Sequence, residues 1–223
     1  MNYRHRVNGA ELDLPAGKAV CVGRNYAAHA KELNNPIPKE PVLFIKPNTA
    51  LVTLGEQVLI PTRLGECHIE TEICILVGEK ITRGFDQAQI EASIAGVGVA
   101  LDLTLRGLQQ QLKDDSLPWE KAKAFDGACP VSEFVSLDKV ANLQQLQIQL
   151  RQNGQMQQDG SSADMLTPVV ELLVYISQFF TLLPGDLVLT GTPAGVGPLA
   201  LGDLLEVSLV DHVYCQTQVC AAV

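Results

Sequence analysis

The chain has 223 residues, 47% hydrophobic and 18% charged, which is enough for one domain with a sizeable core and too apolar for a disordered segment. A formal net charge of −9 argues against a general binder of nucleic-acid backbones, but local cations can still surround a small anionic substrate. No apolar run reaches membrane-spanning length, and the opening MNYRHRVNGAELDL lacks the apolar stretch of a signal peptide.

In chain order, Asn8-Gly9 marks a hairpin turn within residues 1–15. KAVCVG reads as a short buried strand, RNYAAHAKEL as a helix of two to three turns stopped by NNPIP, and PVLFIKP as a strand bounded by prolines. A strand over about 68–77 follows. DQAQIEASIAG predicts a helix with Asp86 as N-cap and Gly96 as stop. VGVALDLTL is the next strand and runs into a helix, RGLQQQLKDD. LQIQLRQNGQMQQDG is a hairpin around Asn153-Gly154. Over 165–180, Val169, Leu172, Leu173, Ile176, Phe179 and Phe180 recur at helical spacing, and GDLVLTGTP, GDLLEVSLV and VYCQTQV close the chain as strands. Many short strands, few helices and no regular βαβ alternation predict an α+β, mostly β fold in one domain, residues 1–223. Six cysteines (Cys21, Cys67, Cys74, Cys129, Cys215, Cys220) form no CxxC pair and several lie in apolar runs, so buried free thiols in a reducing cytoplasm are expected.

The segment GECHIETEICILVG carries His68, Glu70 and Glu72 at alternate positions of an apolar strand, hence on one face. Two carboxylates at that spacing repel. The face is therefore wet, or meets Lys or Arg, or holds a divalent cation. Asp102, the only charge in AGVGVALDLTL, is either a helix cap or a third acid of the same set. Oxygen ligands of this kind suit Mg²⁺ or Mn²⁺.

Cations are available nearby in type. Lys46 ends VLFIKP, and Lys121 and Lys123 alternate in PWEKAKAF, pointing the same way if that segment is extended; Arg24 and Arg106 are further candidates. Such residues beside a carboxylate-held metal would suit an anionic chelating substrate such as a 2-oxo acid. His29 and Glu32, three apart on a helix, share a face and could form a base for water or an incidental surface pair. LTGTPAGVGP lacks the phosphate-loop pattern. Its glycines allow close approach of backbone to a ligand, and Thr190 and Thr192 offer hydroxyls; a plain connecting turn is the alternative.

Taken in order, CVGRNYAAHAKE, EPVLFIKP, HIETEICILVG, GVALDLTLR, PWEKAKAFD, PVSEF, NGQMQQDGSSADM and GDLVLTGTPAGVGP resemble the fumarylacetoacetate hydrolase family, in particular its short acylpyruvase-like branch. The resemblance implies a mixed β-roll or sandwich with a short helical lid, usually as a homodimer, with no nucleic-acid or membrane partner. It implies a Mg²⁺ or Mn²⁺ site on Glu70, Glu72 and Asp102. His29, Glu32 and Lys123 take the catalytic positions, and Arg24, Lys46, Arg106, Gln109 and Thr192 the substrate side. It departs from the family at Gly107, where an acidic residue often follows the arginine. The implied activity is metal-dependent cleavage of a carbon–carbon bond in acylpyruvates such as acetylpyruvate or fumarylpyruvate. The alternatives are oxaloacetate decarboxylation or tautomerisation, isomerisation of the 2-hydroxyhepta-2,4-diene-1,7-dioate type, or a non-catalytic dicarboxylate-binding paralogue.

Overall fold

The computed structural model describes residues 3–222. Arg6–Val7 (β1) and Ala10–Glu11 (β2) pair across Asn8 and Gly9, whose positive φ angles of 49° and 81° are those a two-residue hairpin turn requires. Ala19–Gly23 (β3) leads to a short helix, Ala27–Glu32 (α1), and Val42–Lys46 (β4) returns antiparallel to β3. Leu51–Thr53 (β5) and Gln57–Ile60 (β6) follow.

The acidic segment is two strands, not one. Cys67–Ile69 (β7) and Thr71–Val77 (β8) part at Glu70 and enter different sheets. Helix Gln87–Ala92 (α2) starts at Asp86 with a full capping box formed with Gln89. It ends at Ser93, ahead of the expected Gly96, which lies inside strand Ile94–Leu101 (β9). Thr104–Leu105 (β10) runs into Arg106–Asp114 (α3) and then Glu120–Lys123 (α4). Because PWEKAKAF turns helical there, Lys121 and Lys123 diverge: Lys121 is exposed and Lys123 is buried.

Cys129–Val131 (β11) precedes a hairpin of Gln147–Gln152 (β12) and Gln155–Ser161 (β13) around Asn153-Gly154, again with both φ angles positive. The long helix is shorter than its periodicity predicts, Val169–Ser177 (α5). Pro168 biases Thr167 toward extended backbone and sets the start. Phe179 lies past the end and is 61% exposed instead of joining the buried stripe. Leu187–Leu189 (β14), Gly197–Pro198 (β15), Leu204–Leu209 (β16) and Val213–Ala221 (β17) complete the chain.

Seven strands form a mixed sheet in the order β4-β3-β14-β8-β9-β11-β5, and five form a second in the order β13-β12-β16-β17-β6. The main core lies between them. Ile73, Ile75 and Val77 on one face of β8 join Ile148, Leu150, Leu205 and Val207 from the second sheet. Cys74 and Leu76, on the opposite face, join a smaller cluster with Ala19, Cys21, Leu189 and Phe134. Strand β8 is thus buried on both sides over its whole length, which is why only its chemistry-bearing residues break the apolar run. Strand exceeds helix, 38% against 21%, as the short alternating segments predict. Among the described residues all six cysteines are unpaired, and no helix is long and apolar enough to cross a membrane.

Substituting Asp86→Ala removes one half of the α2 capping box and should lower stability by about 1 kcal/mol. Denaturant titration reads this directly; an unchanged midpoint would contradict the cap.

Candidate metal centre and substrate cavity

The β8–β9 register builds the acidic centre. Thr71 opposes Leu101 and Glu72 opposes Ala100, so one further step sets Glu70 against Asp102. The Asp102 N–H donates to the Glu70 carbonyl at 2.8 Å and fixes that step. Glu72 lies on the same face of β8 as Cys74 and Leu76. Carboxylate oxygens of Glu70, Glu72 and Asp102 fall within 4.8 Å of one another, at 5%, 2% and 1% exposure. A solvated face is excluded. His68 does not join them: its Nε2 is 2.6 Å from Glu66 on the other side of the strand break.

Three buried carboxylates need countercharge. Lys123 reaches Glu70 Oε2 at 2.8 Å, Asp102 Oδ2 at 2.6 Å and Thr104 Oγ1 at 2.7 Å. Arg106, first residue of α3, pairs with Glu70 and donates to Gln109 Oε1 at 2.8 Å. Lys46 is fully buried, 2.8 Å from Asp102 Oδ1, and donates to the carbonyls of Lys123 and Ala128. It sits behind Asp102 and does not line the cavity, in contrast to the substrate-side position expected for it. Its strand β4 ends there because Pro47 follows and has no N–H for the ladder.

Glu72 is left without a cation. Its one hydrogen bond among the described residues comes from the Gly191 N–H at 2.6 Å. Burial pushes its carboxyl well above 4.5, and Asp102 and Glu70 push it further in the same direction. Glu70 goes the other way. Burial raises it, but Lys123, Arg106 and His29 outweigh burial and hold it well below the usual carboxylate range. For Lys123, burial works against the charge, yet Asp102 and Glu70 keep the ammonium protonated above its ordinary value. Asp102 Oδ1 receives no well-aligned hydrogen bond although it is buried. An all-oxygen donor set with one carboxyl that no cation engages fits a hard divalent cation.

Glu70 and Glu72 line a cavity, with Asp102 behind them. From the sequence-predicted set, Arg24, His29, Arg106, Gln109, Lys123 and Thr192 line it. His29 Nδ1 lies 3.4 Å from Glu32 Oε2 on α1. Burial lowers the imidazole below 6.5, opposed by Glu70 and Glu32, so the ring is neutral at pH 7. Glu32 is steadied in turn by the Gly195 N–H at 3.0 Å. The glycines of LTGTPAGVGP therefore serve two acids of the site. Gly191 has φ +98°, and a Cβ there would lie 2.8 Å from the Asn25 Cβ; at Gly195, φ +99°, a Cβ would strike the Gln157 carbonyl. The Thr192 hydroxyl is not free as expected: it donates to the Thr71 carbonyl at 2.9 Å and accepts from Gln158 at 2.8 Å. Thr190 likewise donates to the Ile73 carbonyl. Lys113, Trp119 and Phe44 also line the cavity and went unnoticed in the sequence. Lys113 carried a signal, since Arg106, Gln109 and Lys113 are spaced three and four apart on α3 and share a face.

Residues 18–220 match the family model described as fumarylacetoacetate (FAA) hydrolase C-terminal. The chain belongs to the fumarylacetoacetate hydrolase family. It is 47% identical to the oxaloacetate tautomerase YcgM of Escherichia coli (strain K12) over 213 residues, 95% of this chain and 97% of that one. A crystal structure of a fumarylacetoacetate hydrolase family protein from Yersinia pestis CO92 superposes with TM-score 0.94 at 47% identity, covering 98% of this chain and 100% of that one. A fumarylpyruvate hydrolase from Pseudomonas aeruginosa, crystallised with Mn²⁺ and pyruvate, gives TM-score 0.90 at 32% identity over 99% and 97% of the two chains. The curled mixed sheets described above are the fold of this family.

Burial and the neighbouring acids favour the protonated form of Glu72 in the metal-free protein, so cation binding should displace a proton. Titrating Mg²⁺ or Mn²⁺ into weakly buffered metal-free protein near neutral pH should release about one proton per ion, and affinity should rise with pH. Glu72→Gln should bind weakly and release none. Proton release undiminished in that variant would contradict the assignment.

Proposed function

We propose that the protein is a divalent-cation-dependent enzyme of 2-oxo acids, with keto–enol tautomerisation of oxaloacetate as its reaction. One observation carries the reading: a protonated Lys123 and a neutral His29 line one cavity beside the carboxylate triad. The 47% identity to a tautomerase, over nearly the full length of both chains, supports it.

Tautomerisation moves one proton between C3 and the C2 oxygen and breaks no carbon–carbon bond. A cation held by Glu70, Glu72 and Asp102 would supply Lewis-acid polarisation of the 2-oxo group. Lys123 brings a fixed positive charge beside the oxygen on which negative charge develops. Two acids and Thr104 take its three N–H groups and hold the ammonium in place, so it acts through its charge and not as a base. His29 is the base-capable group. The Glu32 carboxylate can only accept a hydrogen bond, so Nδ1 carries a proton and Nε2 keeps a lone pair that can take the proton from C3 and return it to the C2 oxygen, or the reverse. Arg106 neutralises Glu70 and holds Gln109 by its carbonyl, which leaves the Gln109 NH₂ as a donor for a substrate carboxylate. Lys46 acts from behind by positioning Asp102 and the Lys123 backbone.

Acylpyruvate hydrolysis is the second reading. The same His29–Glu32 pair could take a proton from water attacking C4, after which the C3–C4 bond breaks to give a carboxylic acid and pyruvate enolate. Likeness to the Pseudomonas fumarylpyruvate hydrolase favours it, at the lower identity of 32%. Tautomerisation stands first because the more similar relative bears that name. Decarboxylation of oxaloacetate would pass through the same enolate and needs no base for water.

Enol loss from oxaloacetate, followed in the ultraviolet with Mg²⁺ or Mn²⁺ and abolished by a chelator, tests the reading against acetylpyruvate cleavage under the same conditions. Faster cleavage of acetylpyruvate would reverse the order of the two. His29→Gln should lower kcat at least about 100-fold with the fold intact. The wild-type rate should fall only as pH drops through a midpoint below 6.5, since the base works neutral and burial depresses its pKa. A midpoint above 6.5 would remove His29 from the role.

A further inference from the structure

Two cations on the cavity wall have nothing to do in the mechanism above. Lys123, Arg106 and Lys46 are each engaged with a carboxylate of the triad. Lys113 and Arg24 line the same cavity, yet among the described residues neither forms an ion pair or a side-chain hydrogen bond. Both are half-buried, whereas the triad is fully buried, so they stand at the rim. The Lys113 ammonium is 5.6 Å from the centroid of the Trp119 ring, which holds the chain over the cavity without neutralising it. Arg24 has φ +62°, a left-handed backbone conformation that costs free energy in a residue with a side chain, and such strain concentrates at ligand sites.

The charge balance gives these residues a use. With Glu72 ionised, as cation binding requires, triad and engaged cations cancel, three against three, and a bound divalent ion adds two positive charges. Burial makes the Lys113 charge unfavourable, and Arg24, Arg106 and Lys123 add to that, so an arriving anion relieves like-charge repulsion from several sides. One carboxylate of a 2-oxo acid is consumed beside the triad. A second, farther along the substrate, would lie toward the rim.

We propose that Lys113, steered by Trp119 and seconded by Arg24, reads a distal carboxylate, so that the site selects dianionic 2-oxo acids over those that end in a neutral group. The inference rests on the reading that the triad end of the cavity takes the 2-oxo acid group. It favours oxaloacetate over acetylpyruvate from the geometry of the wall alone. Lys113 is a specificity residue here and takes no part in proton transfer.

Two unreactive ligands separate the ends of the substrate. Oxamate carries a 2-oxo-acid-like chelating end alone, and N-oxalylglycine carries that end plus a distal carboxylate. By calorimetry on Mn²⁺-loaded protein, the wild type should bind N-oxalylglycine at least about ten-fold tighter than oxamate. Lys113→Met keeps the apolar stem on Trp119 and should erase that preference while leaving oxamate affinity within about two-fold; Lys113→Arg should restore it. A preference retained in Lys113→Met, or an equal loss for both ligands, would overturn the distal seat and leave the tautomerase reading standing. Failure of the wild type to bind either ligand would overturn the 2-oxo acid reading and the seat with it.

Discussion

Three carboxylates packed within 4.8 Å and sealed from solvent are the constraint around which this molecule is arranged. Buried like charges of that density are unfavourable by several kcal/mol per ion unless each is compensated. Lys123 bridges Glu70 and Asp102, Arg106 closes Glu70, and Lys46 backs Asp102. The supply ends there. Glu72 has a backbone N–H and no cation. The asymmetry splits the behaviour of neighbouring acids: Glu70 ionises readily, and Glu72 resists. A fold that shields an acid so thoroughly while withholding its last countercharge is matched to a ligand that brings one.

The surrounding architecture follows from that need. The acids come from a strand break and a strand end held in register by one backbone hydrogen bond, so their spacing is as rigid as the sheet. Their partners come from three separate elements, β4, α3 and α4, each ending at or starting from the residue that reaches inward. The Gly/Pro loop after β14 closes the ring through backbone donors, one to Glu72 and one to Glu32. The carboxylate triad and the His29–Glu32 pair are therefore tied through one loop. Strain there would be felt at both.

Much of this was legible in the sequence because it rests on periodicity and on unusual residues in apolar runs. Alternation placed Glu72, Cys74 and Leu76 on one face, and Asn-Gly located both hairpins. The set of acids was open on spacing alone and narrowed only through the family resemblance. What escaped depends on long-range contacts. The strand break at Glu70 put His68 in another sheet, which no local pattern announces. Lys46 reads as a strand-terminal lysine on the substrate side, but carbonyls from α4 and from the residue before β11 surround it. PWEKAKAF has an alternating pattern that a four-residue helix overrides, exposing Lys121 and burying Lys123. Thr192 was visible as a hydroxyl, but its commitment to Thr71 and Gln158 was not.

The central claim is that these three side chains jointly hold one divalent ion. Anomalous diffraction from crystals grown with Mn²⁺ measures this most directly. The account predicts a single strong peak at about 2.1 Å from an oxygen of each of Glu70, Glu72 and Asp102. A peak bound to other residues, or no peak at saturating Mn²⁺ with the three carboxylates still converged, would contradict it.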